Sequence, residues 1–399
     1  MVVQGLYFVC LARLLGASEY GLLVGATSLI ALVSQHSSIG AGFVFLRHVS
    51  PDLSRFRVYW GYVLTSTVLG ASVVVTAVIL TSHWVLHSIN PTAILCLALG
   101  DCLFMQIAIV GSRVFQTFEK MHFSALSSLT TNTLRLCTAI FLLKSWHHAQ
   151  VTNWAVVSMS VSALGAIIAM ILVTRVLGWP QWSPSLLRKH TVEGMLFSSS
   201  TTTSSIFNDI DKVLLSHYGM NAANGIYSMA YRAVDTAFLV IRSIHNATFP
   251  SFCRQGAVGI EAARTFAQRL LGKTFWISLA ISAALFVLAP LIPVFAGKSF
   301  ALSVGALRWL CILPVFRSFH LAAGDALSGA GFQRYRLLYE LAAAAGNLGV
   351  NLIVIPLYSW KAAAMVSLVT DGGLALVSWL TVNALVARTG NREAAAFIT

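Results

Sequence analysis

The sequence predicts an all-α polytopic membrane protein, with about 12 transmembrane helices in two six-helix lobes around a central cavity. Three observations support this fold class. Of the 399 residues, 57% are hydrophobic and only 10% are charged, whereas soluble domains carry about 25% charged residues. The apolar residues fall in long runs, and a membrane-spanning helix needs about 20 of them. Most basic residues lie between these runs, on alternate loops, as in multi-pass membrane proteins.

The apolar runs predict the spanning helices in order. They lie near 1–15, 20–46, 58–82, 91–112, 123–144, 152–176, 192–217, 222–250, 272–296, 301–328, 335–357 and 361–387.

Two of these helices need separate justification. The first, 1–15, is too short to span a bilayer comfortably, so we expect that the true N-terminus is missing or misassigned. The seventh, 192–217, contains the entirely hydroxylated run 198–205, which lowers its hydropathy. It is nevertheless required, because without it the basic loops would no longer alternate. Within the tenth helix, Pro314 is a candidate hinge.

The basic loop residues predict the orientation. One side of the membrane receives only Arg13, Lys144, Lys298 and Lys361. By the positive-inside rule, the richer side is cytoplasmic and both termini lie there, in an inner membrane. The sixteen residues of the cytoplasmic set are Arg47, Arg55, Arg57, Arg113, Lys120, Arg175, Arg188, Lys189, Arg254, Arg264, Arg269, Lys273, Arg334, Arg336, Arg388 and Arg392. The longest cytoplasmic connections are expected near 46–57, 177–191 and 251–271.

An internal repeat predicts the domain organisation. Residues 14–22 resemble residues 214–227, and 132–146 resemble 347–360 in the same order. Two parallel halves of six helices follow from this order, because six spans return the chain to the same side. We therefore expect an N-terminal lobe at 1–178, a cytoplasmic linker at 179–191 and a C-terminal lobe at 192–399. Transporters often bind substrate between such halves.

Charged residues at membrane depth predict the functional site, because each costs a few kcal/mol in a lipid environment. In the predicted helix 192–217, Asn208 and Lys212 share one face. In the next helix, a polar stripe contains Arg232 and Arg242. We expect a basic wall that binds an anionic head group such as a phosphate, since arginine recognises phosphate through two parallel hydrogen bonds. The predicted binding residues are Lys212, Arg232, Arg242, Arg135, Arg317 and Asn208, with Asp209, Asp211 and Asp235 as charge partners or coupling groups.

A plainer interpretation of the same residues stays open. Pairs such as Lys212–Asp209 or Arg232–Asp235 would form internal salt bridges that only hold helices together.

No metal site, cofactor or nucleic-acid partner is expected. The six cysteines are scattered without metal-ligand spacing. The histidines His83, His87, His147 and His148 fall in loops and are interpreted as solvated. The net charge of +13 is interpreted as a topology signal, because the basic residues lie in short loops between apolar runs.

Several motifs resemble those of one family. Ala-Arg-Leu-Leu-Gly-Ala-Ser-Glu-Tyr-Gly at 12–21, with a helix ending Gly-Ala-Gly at 40–42, resembles the opening of bacterial polysaccharide flippases. These are the O-antigen and exopolysaccharide translocases of the multidrug/oligosaccharidyl-lipid/polysaccharide exporter (MOP) superfamily. Asp-Ile-Asp-Lys-Val-Leu-Leu at 209–215 and Gly-Ile-Tyr-Ser-Met-Ala-Tyr-Arg at 225–232 resemble the start of the family's second half, and Pro250 fits the end of its eighth helix.

The resemblance implies translocation of an undecaprenyl-pyrophosphate-linked oligosaccharide from the cytoplasmic to the periplasmic leaflet. It also implies a cavity that opens alternately to each side, and polysaccharide polymerase and export proteins as partners. Lys212 and Arg232 match the charged region of the family's seventh and eighth helices. The short first helix departs from the family pattern.

Three other functions are less consistent with the sequence. A cation-coupled multidrug antiporter needs acidic cavity residues, whereas this chain has an excess of bases at membrane depth. A peptidoglycan-precursor flippase usually has fourteen helices. A membrane glycan polymerase or ligase needs acid–base groups, commonly on a large outer loop, and the expected outer loops are short. We therefore expect a transporter and not an enzyme.

Overall fold

The computed structural model of the chain describes residues 2–145 and 149–398. The described side chains do not include those of 2, 184, 196–197, 199–207 and 390–398, so most of the hydroxylated run lies outside the description. The α-helices are α1 Val2–Ser34, α2 Ala41–Val49, α3 Phe56–Val85, α4 Pro91–Ala98, α5 Met105–Thr117, α6 Met121–Ser145, α7 Val151–Leu177, α8 Pro184–His217, α9 Asn221–Val258, α10 Ile260–Leu288, α11 Ile292–Ala296, α12 Ser303–Leu310, α13 Leu313–Gly329, α14 Gln333–Tyr358 and α15 Trp360–Ile398.

Shorter helical turns complete the described structure. A π-helix, Leu99–Phe104, joins α4 to α5. Turns of 3-10 helix lie at Leu53–Arg55, Ala289–Leu291 and Lys298–Phe300. No strand occurs in the described ranges, which confirms the predicted all-α fold class.

Nine helical segments among the described residues are long and apolar enough to cross a membrane. The charged helices α8 and α9 are not among the nine, although the sequence predicts a span at each of them. The first segment, Val3–Ser34, contains two predicted helices, because α1 runs on through a break at Gly16. Every predicted helix therefore has a helix at its position, and the chain is a multi-pass membrane protein.

Several predicted boundaries are wrong. The second predicted helix, 20–46, ends at Ser34, and a new helix begins after Gly40, whose φ of 62° is easy only for glycine. The predicted end at Pro250 is also wrong, because α9 continues through this proline to Val258. A proline inside a long helix removes one backbone hydrogen bond and need not end the helix.

The predicted connection 251–271 is largely helical in the structure. The chain breaks only at Gly259, with a φ of 150°, and α10 begins at the next residue. Arg264 and Arg269 therefore lie on a helix and not in a loop. The candidate hinge lies next to a break in the structure, because Pro314 is the second residue of α13, which follows an interruption of the predicted tenth helix.

The chain divides into two compact units, Met1–Gly225 and Ile226–Thr399. Helix α8 belongs to the first unit, whereas the sequence predicts a lobe boundary at 179–191. The two six-helix lobes stay a prediction.

In the first unit, α1 packs against α6 and α8. An aromatic core lies among α2, α3 and α5, where Phe45, Trp60 and Phe115 are fully buried. The contact between α1 and the start of α9 is especially close, because a Cβ atom on Gly21 would lie 1.8 Å from the carbonyl oxygen of Asn221.

That close contact is reciprocal. A Cβ atom on Gly225 would lie 1.9 Å from the carbonyl oxygen of Ala17. Each of the two segments also contains a glycine with a φ of 71°, Gly16 in one and Gly219 in the other. The two segments that resemble each other in sequence thus pack directly against each other within the first unit.

In the second unit, α13 is the central helix and packs against α10 and α15. The apolar window of the span Ser303–Gly329 is 67% buried, compared with 22% for the spans containing α10 and α14. The peripheral helices instead present large apolar side chains outward. Ile353 and Val369 are each 70% exposed, as expected for surfaces covered by lipid.

Candidate functional site

Lys212 of α8 is at the centre of a small charged cluster in the first unit. Its ammonium nitrogen lies 3.3 Å from Oδ1 of Asp209 and 3.4 Å from Oδ1 of Asp211, and it also donates to the backbone carbonyl of Asn208. The Lys212 and Asp211 side chains are only 8% and 2% exposed. One turn of helix brings Asp209 and Lys212 to the same face.

The Lys212–Asp209 salt bridge is the pair that the plainer sequence interpretation anticipates. Because two carboxylates surround one ammonium group, the local charge is acidic when all three groups are ionised. The structure therefore gives Lys212 protein partners, and an anionic substrate would have to compete with them.

A second cluster of the first unit surrounds Arg135 of α6. One terminal nitrogen of its guanidinium donates to the hydroxyl of Ser162 at 2.9 Å, and Asp101 of the π-helix lies 3.7 Å away. The Nε atom is buried and has no hydrogen-bond partner among the described residues. A buried donor without a partner is costly, so this guanidinium is suited to an additional anionic acceptor.

Arg317 of α13 lies near the middle of the span Ser303–Gly329 and is the centre of the charged network in the second unit. Its Nε donates to Asp371 at 3.2 Å and one terminal nitrogen donates to Asp235 at 2.9 Å. The other terminal nitrogen donates to the hydroxyl of Tyr231. The guanidinium also lies over the rings of Tyr231 and Phe238, 5.0 Å and 6.0 Å from their centroids.

This network changes the predicted pairing. The sequence offered Asp235 as a partner of Arg232, but the structure shows it hydrogen-bonded to Arg317. All three nitrogens of Arg317 donate to protein groups, and two carboxylates neutralise its charge. Arg317 therefore joins α9, α13 and α15 in the second unit.

A further buried network in the second unit was not among the predicted site residues. His245 Nδ1 lies 2.8 Å from Asp325, and Arg336 lies 3.8 Å from the same carboxylate. Arg336 Nε also donates to Glu340 at 2.9 Å, and His320 lies 3.7 Å from Glu340. The sequence places Arg336 in a cytoplasmic loop. The signal that could have found the network is the i, i+4 spacing of Arg336 and Glu340 together with histidines in apolar runs.

The family of the chain follows from a comparison with known proteins. The model of a family described as polysaccharide biosynthesis protein matches residues 1–255, which is more than half of the chain. The chain belongs to the polysaccharide biosynthesis protein family. A search among curated proteins finds no match.

Solved structures show that this family member has the fold of MOP-superfamily transporters. An inward-facing multidrug resistance MATE family transporter of that superfamily matches with a TM-score of 0.78 and 15% identity, over 96% of both chains. The lipid II flippase MurJ, in an inward closed conformation, matches with a TM-score of 0.72 and 12% identity, over 96% of this chain and 85% of the flippase. The chain thus shares the fold of these transporters, as the sequence resemblance predicts.

The remaining predicted residues of this polysaccharide biosynthesis protein lie on α9. Arg242 is exposed, and its guanidinium carbon lies 5.8 Å from the ring centroid of Phe238. Within the described part of the chain, no carboxylate lies within salt-bridge distance of Arg242. Arg232 is half-buried two to three turns earlier on the same helix. Lys212 belongs to the first unit, and both arginines belong to the second.

Proposed function

We propose that this protein is a flippase that moves an undecaprenyl-pyrophosphate-linked oligosaccharide from the cytoplasmic to the periplasmic leaflet by alternating access. The product would serve cell-surface polysaccharide or exopolysaccharide synthesis. Membership of a polysaccharide biosynthesis family supports a glycan as the substrate. The likeness to a lipid II flippase supports a glycan that is linked to a lipid.

One observation carries the proposal. Two guanidinium groups on long helices, those of Arg135 and Arg242, form no hydrogen bond with a carboxylate in the described part of the chain. Asp101 lies 3.7 Å from Arg135, but the buried Nε of Arg135 has no hydrogen-bond partner among the described residues, and such a donor is costly unless it meets water or an anionic ligand. A pyrophosphate offers several charged oxygens in the geometry that guanidinium donors favour.

The other predicted residues divide into two roles under this proposal. Arg232 and Asn208, which already make contacts within the protein, join Arg135 and Arg242 as candidate substrate contacts. Lys212 and Arg317 bind substrate only if the anion competes with Asp209, Asp211 or Asp235. The same carboxylates are candidate coupling groups, because protonation or cation binding there would release the paired base.

The proposed setting follows from the charge distribution. The excess of basic residues on one set of connections supports an inner-membrane location with both termini in the cytoplasm. A polysaccharide polymerase and export proteins would then receive the glycan on the far side.

A cation-coupled multidrug antiporter is the second candidate. Two observations favour it: the MATE transporter match, and the salt bridges that neutralise Lys212 and Arg317. The neutralised bases weaken the sequence argument that this chain has an excess of basic charge at depth. A glycan polymerase or ligase is less well supported, since α3 and α4 are joined by only a few residues and offer no outer-loop platform.

The test is a proteoliposome assay that measures the movement of defined lipid-linked oligosaccharides from one membrane leaflet to the other. Protein-dependent movement of the head group across the membrane supports the flippase. Export of cationic dyes without glycan movement would establish the antiporter instead, and joining of glycans without movement would establish an enzyme. Normal glycan movement by both the Arg135→Gln and the Arg242→Gln variant would contradict a role for these two arginines in binding the pyrophosphate.

A further inference from the structure

A cluster of two histidines and one glutamate lies apart from the charged networks described above. His190 Nδ1 lies 3.0 Å from Oε2 of Glu193, and His48 Nε2 lies 3.2 Å from the same oxygen. One potential ligand atom from each of the three residues lies within 4.8 Å of the others. All three residues belong to the first unit, near the connections that the sequence predicts to be cytoplasmic.

Two helices bring these ligands together. His48 occupies the last turn of α2. His190 and Glu193 lie one turn apart near the start of α8, so their side chains share a face. His190 is almost fully buried, with a side chain 5% exposed, whereas Glu193 and His48 are 24% and 29% exposed. The cluster is therefore anchored on one side and accessible on the other.

We infer that His48, His190 and Glu193 form a binding site for a divalent first-row transition-metal ion, with zinc as the best fit. Zinc bonds of about 2.0–2.1 Å in a tetrahedral site place neighbouring ligand atoms roughly 3.3 Å apart. The observed nitrogen-to-oxygen distances of 3.0 and 3.2 Å are close to that value. Two imidazoles and one carboxylate leave a fourth position for water, and this donor set suits zinc better than magnesium or calcium.

The surrounding residues support the three ligands in the way that metal sites require. The hydroxyl of Tyr59 lies 3.3 Å from Nε2 of His190, the ring nitrogen that faces away from Glu193. Arg47 donates to Oε1 of Glu193 at 2.9 Å, so Oε2 is left for the histidines and the ion. Such outer hydrogen bonds fix the tautomer and the orientation of metal ligands.

The same arrangement can also exist without a metal, if both imidazoles donate N–H hydrogen bonds to Glu193. Metal binding replaces these two N–H groups: each ligating nitrogen must be unprotonated, and the His190 proton would reside on Nε2, facing Tyr59. Metal uptake should therefore weaken as the pH falls. Because the ligands come from α2 and α8, a bound ion would join the two helices and stabilise the folded first unit.

The experiment uses the full chain in detergent, purified without a histidine tag and stripped with a chelator. Zinc alone is added, bound zinc is measured by elemental analysis after dialysis, and the melting temperature is recorded with and without the metal. We expect about one zinc ion per chain and a higher Tm. His48→Gln and Glu193→Gln should lose the ion, and Tyr59→Phe should bind it roughly tenfold more weakly.

Two further variants keep the result decisive if a ligand substitution unfolds the protein. His48→Cys supplies a different zinc ligand and should retain the ion, whereas a hydrogen-bonding role alone would not be restored by a thiol. His83→Gln, at an exposed histidine of α3, is the matched control and should bind like the unaltered chain. The inference is overturned if the chain binds no zinc, if His48→Gln and Glu193→Gln retain it, or if magnesium raises the Tm as much as zinc does.

Discussion

Arg317 Nε donates a hydrogen bond to Oδ2 of Asp371 across 3.2 Å, and the two side chains are only 8% and 7% exposed. The pair joins the central helix of the second unit, α13, to α15. An unpaired charge at this depth would be strongly unfavourable, and each of the two residues neutralises the charge of the other.

The first prediction concerns this pair. Arg317→Gln leaves two carboxylates without their cation, and we expect a loss of about 3–5 kcal/mol of unfolding free energy. Arg242→Gln is the matched control, because that side chain is exposed and has no carboxylate partner among the described residues. Thermal unfolding in detergent measures both variants. Equal melting temperatures would mean that the Arg317 network does not stabilise the fold.

The second prediction concerns the cluster around Lys212. Lys212→Met should destabilise the protein, because Asp211 would then be buried without its ion-pair partner. Adding Asp211→Asn should recover part of the loss, with a coupling energy of about 0.5–3 kcal/mol in a double-mutant cycle. If the double variant folds but no longer moves glycan, the Lys212–Asp211 pair has a role in transport in addition to its contribution to the fold. Additive losses would contradict the coupling.

The third prediction concerns the close contact between the two similar segments. Gly225→Ala places a methyl group 1.9 Å from the carbonyl oxygen of Ala17, so the backbones must separate. We expect a lower melting temperature and less monodisperse protein in size-exclusion chromatography. Gly349→Ala, in open space on α14, should be neutral or stabilising by up to about 1 kcal/mol. A neutral Gly225→Ala would show that the contact is looser than the structure indicates.

The fourth prediction concerns transport. Arg135→Gln and Arg242→Gln should each reduce head-group movement roughly 10-fold or more, since a hydrogen bond to a charged group contributes about 1.5–3 kcal/mol. Stability should change little for Arg242→Gln. Arg254→Gln, at an exposed arginine near the end of α9, is the matched control and should move glycan normally. Rates are compared in the same proteoliposome assay, and a loss in the control would indicate a general charge effect.

Local patterns explain what could be predicted from the sequence. The apolar runs predicted the helices, because a bilayer stabilises each apolar run as a helix independently of the others. The salt bridge between Lys212 and Asp209 was predictable because one helical turn brings them together.

The long-range pairs could not be predicted in the same way. Arg317 pairs with Asp235 and Asp371, which lie 82 and 54 residues away, and His245 pairs with Asp325 across 80 residues. Nothing local specifies which of several buried acids meets a given base. That choice depends on helix packing. The sequence consequently identified the charged residues on α8 and α9 but not their long-range partners, such as Arg317 for Asp235.

The π-helix at Leu99–Phe104 has a consequence for comparing this chain with its relatives. A π-turn accommodates one more residue than the α-helix around it. Removing a single residue there would rotate the preceding part of the helix by about 100° relative to α5 and would move Asp101 away from Arg135. An alignment with relatives that have a regular α-helix at this position should therefore open a one-residue gap here. Without that gap, positions on one side of the bulge would be matched to positions about 100° away around the helix axis, and many lipid-facing positions would be matched to protein-facing ones.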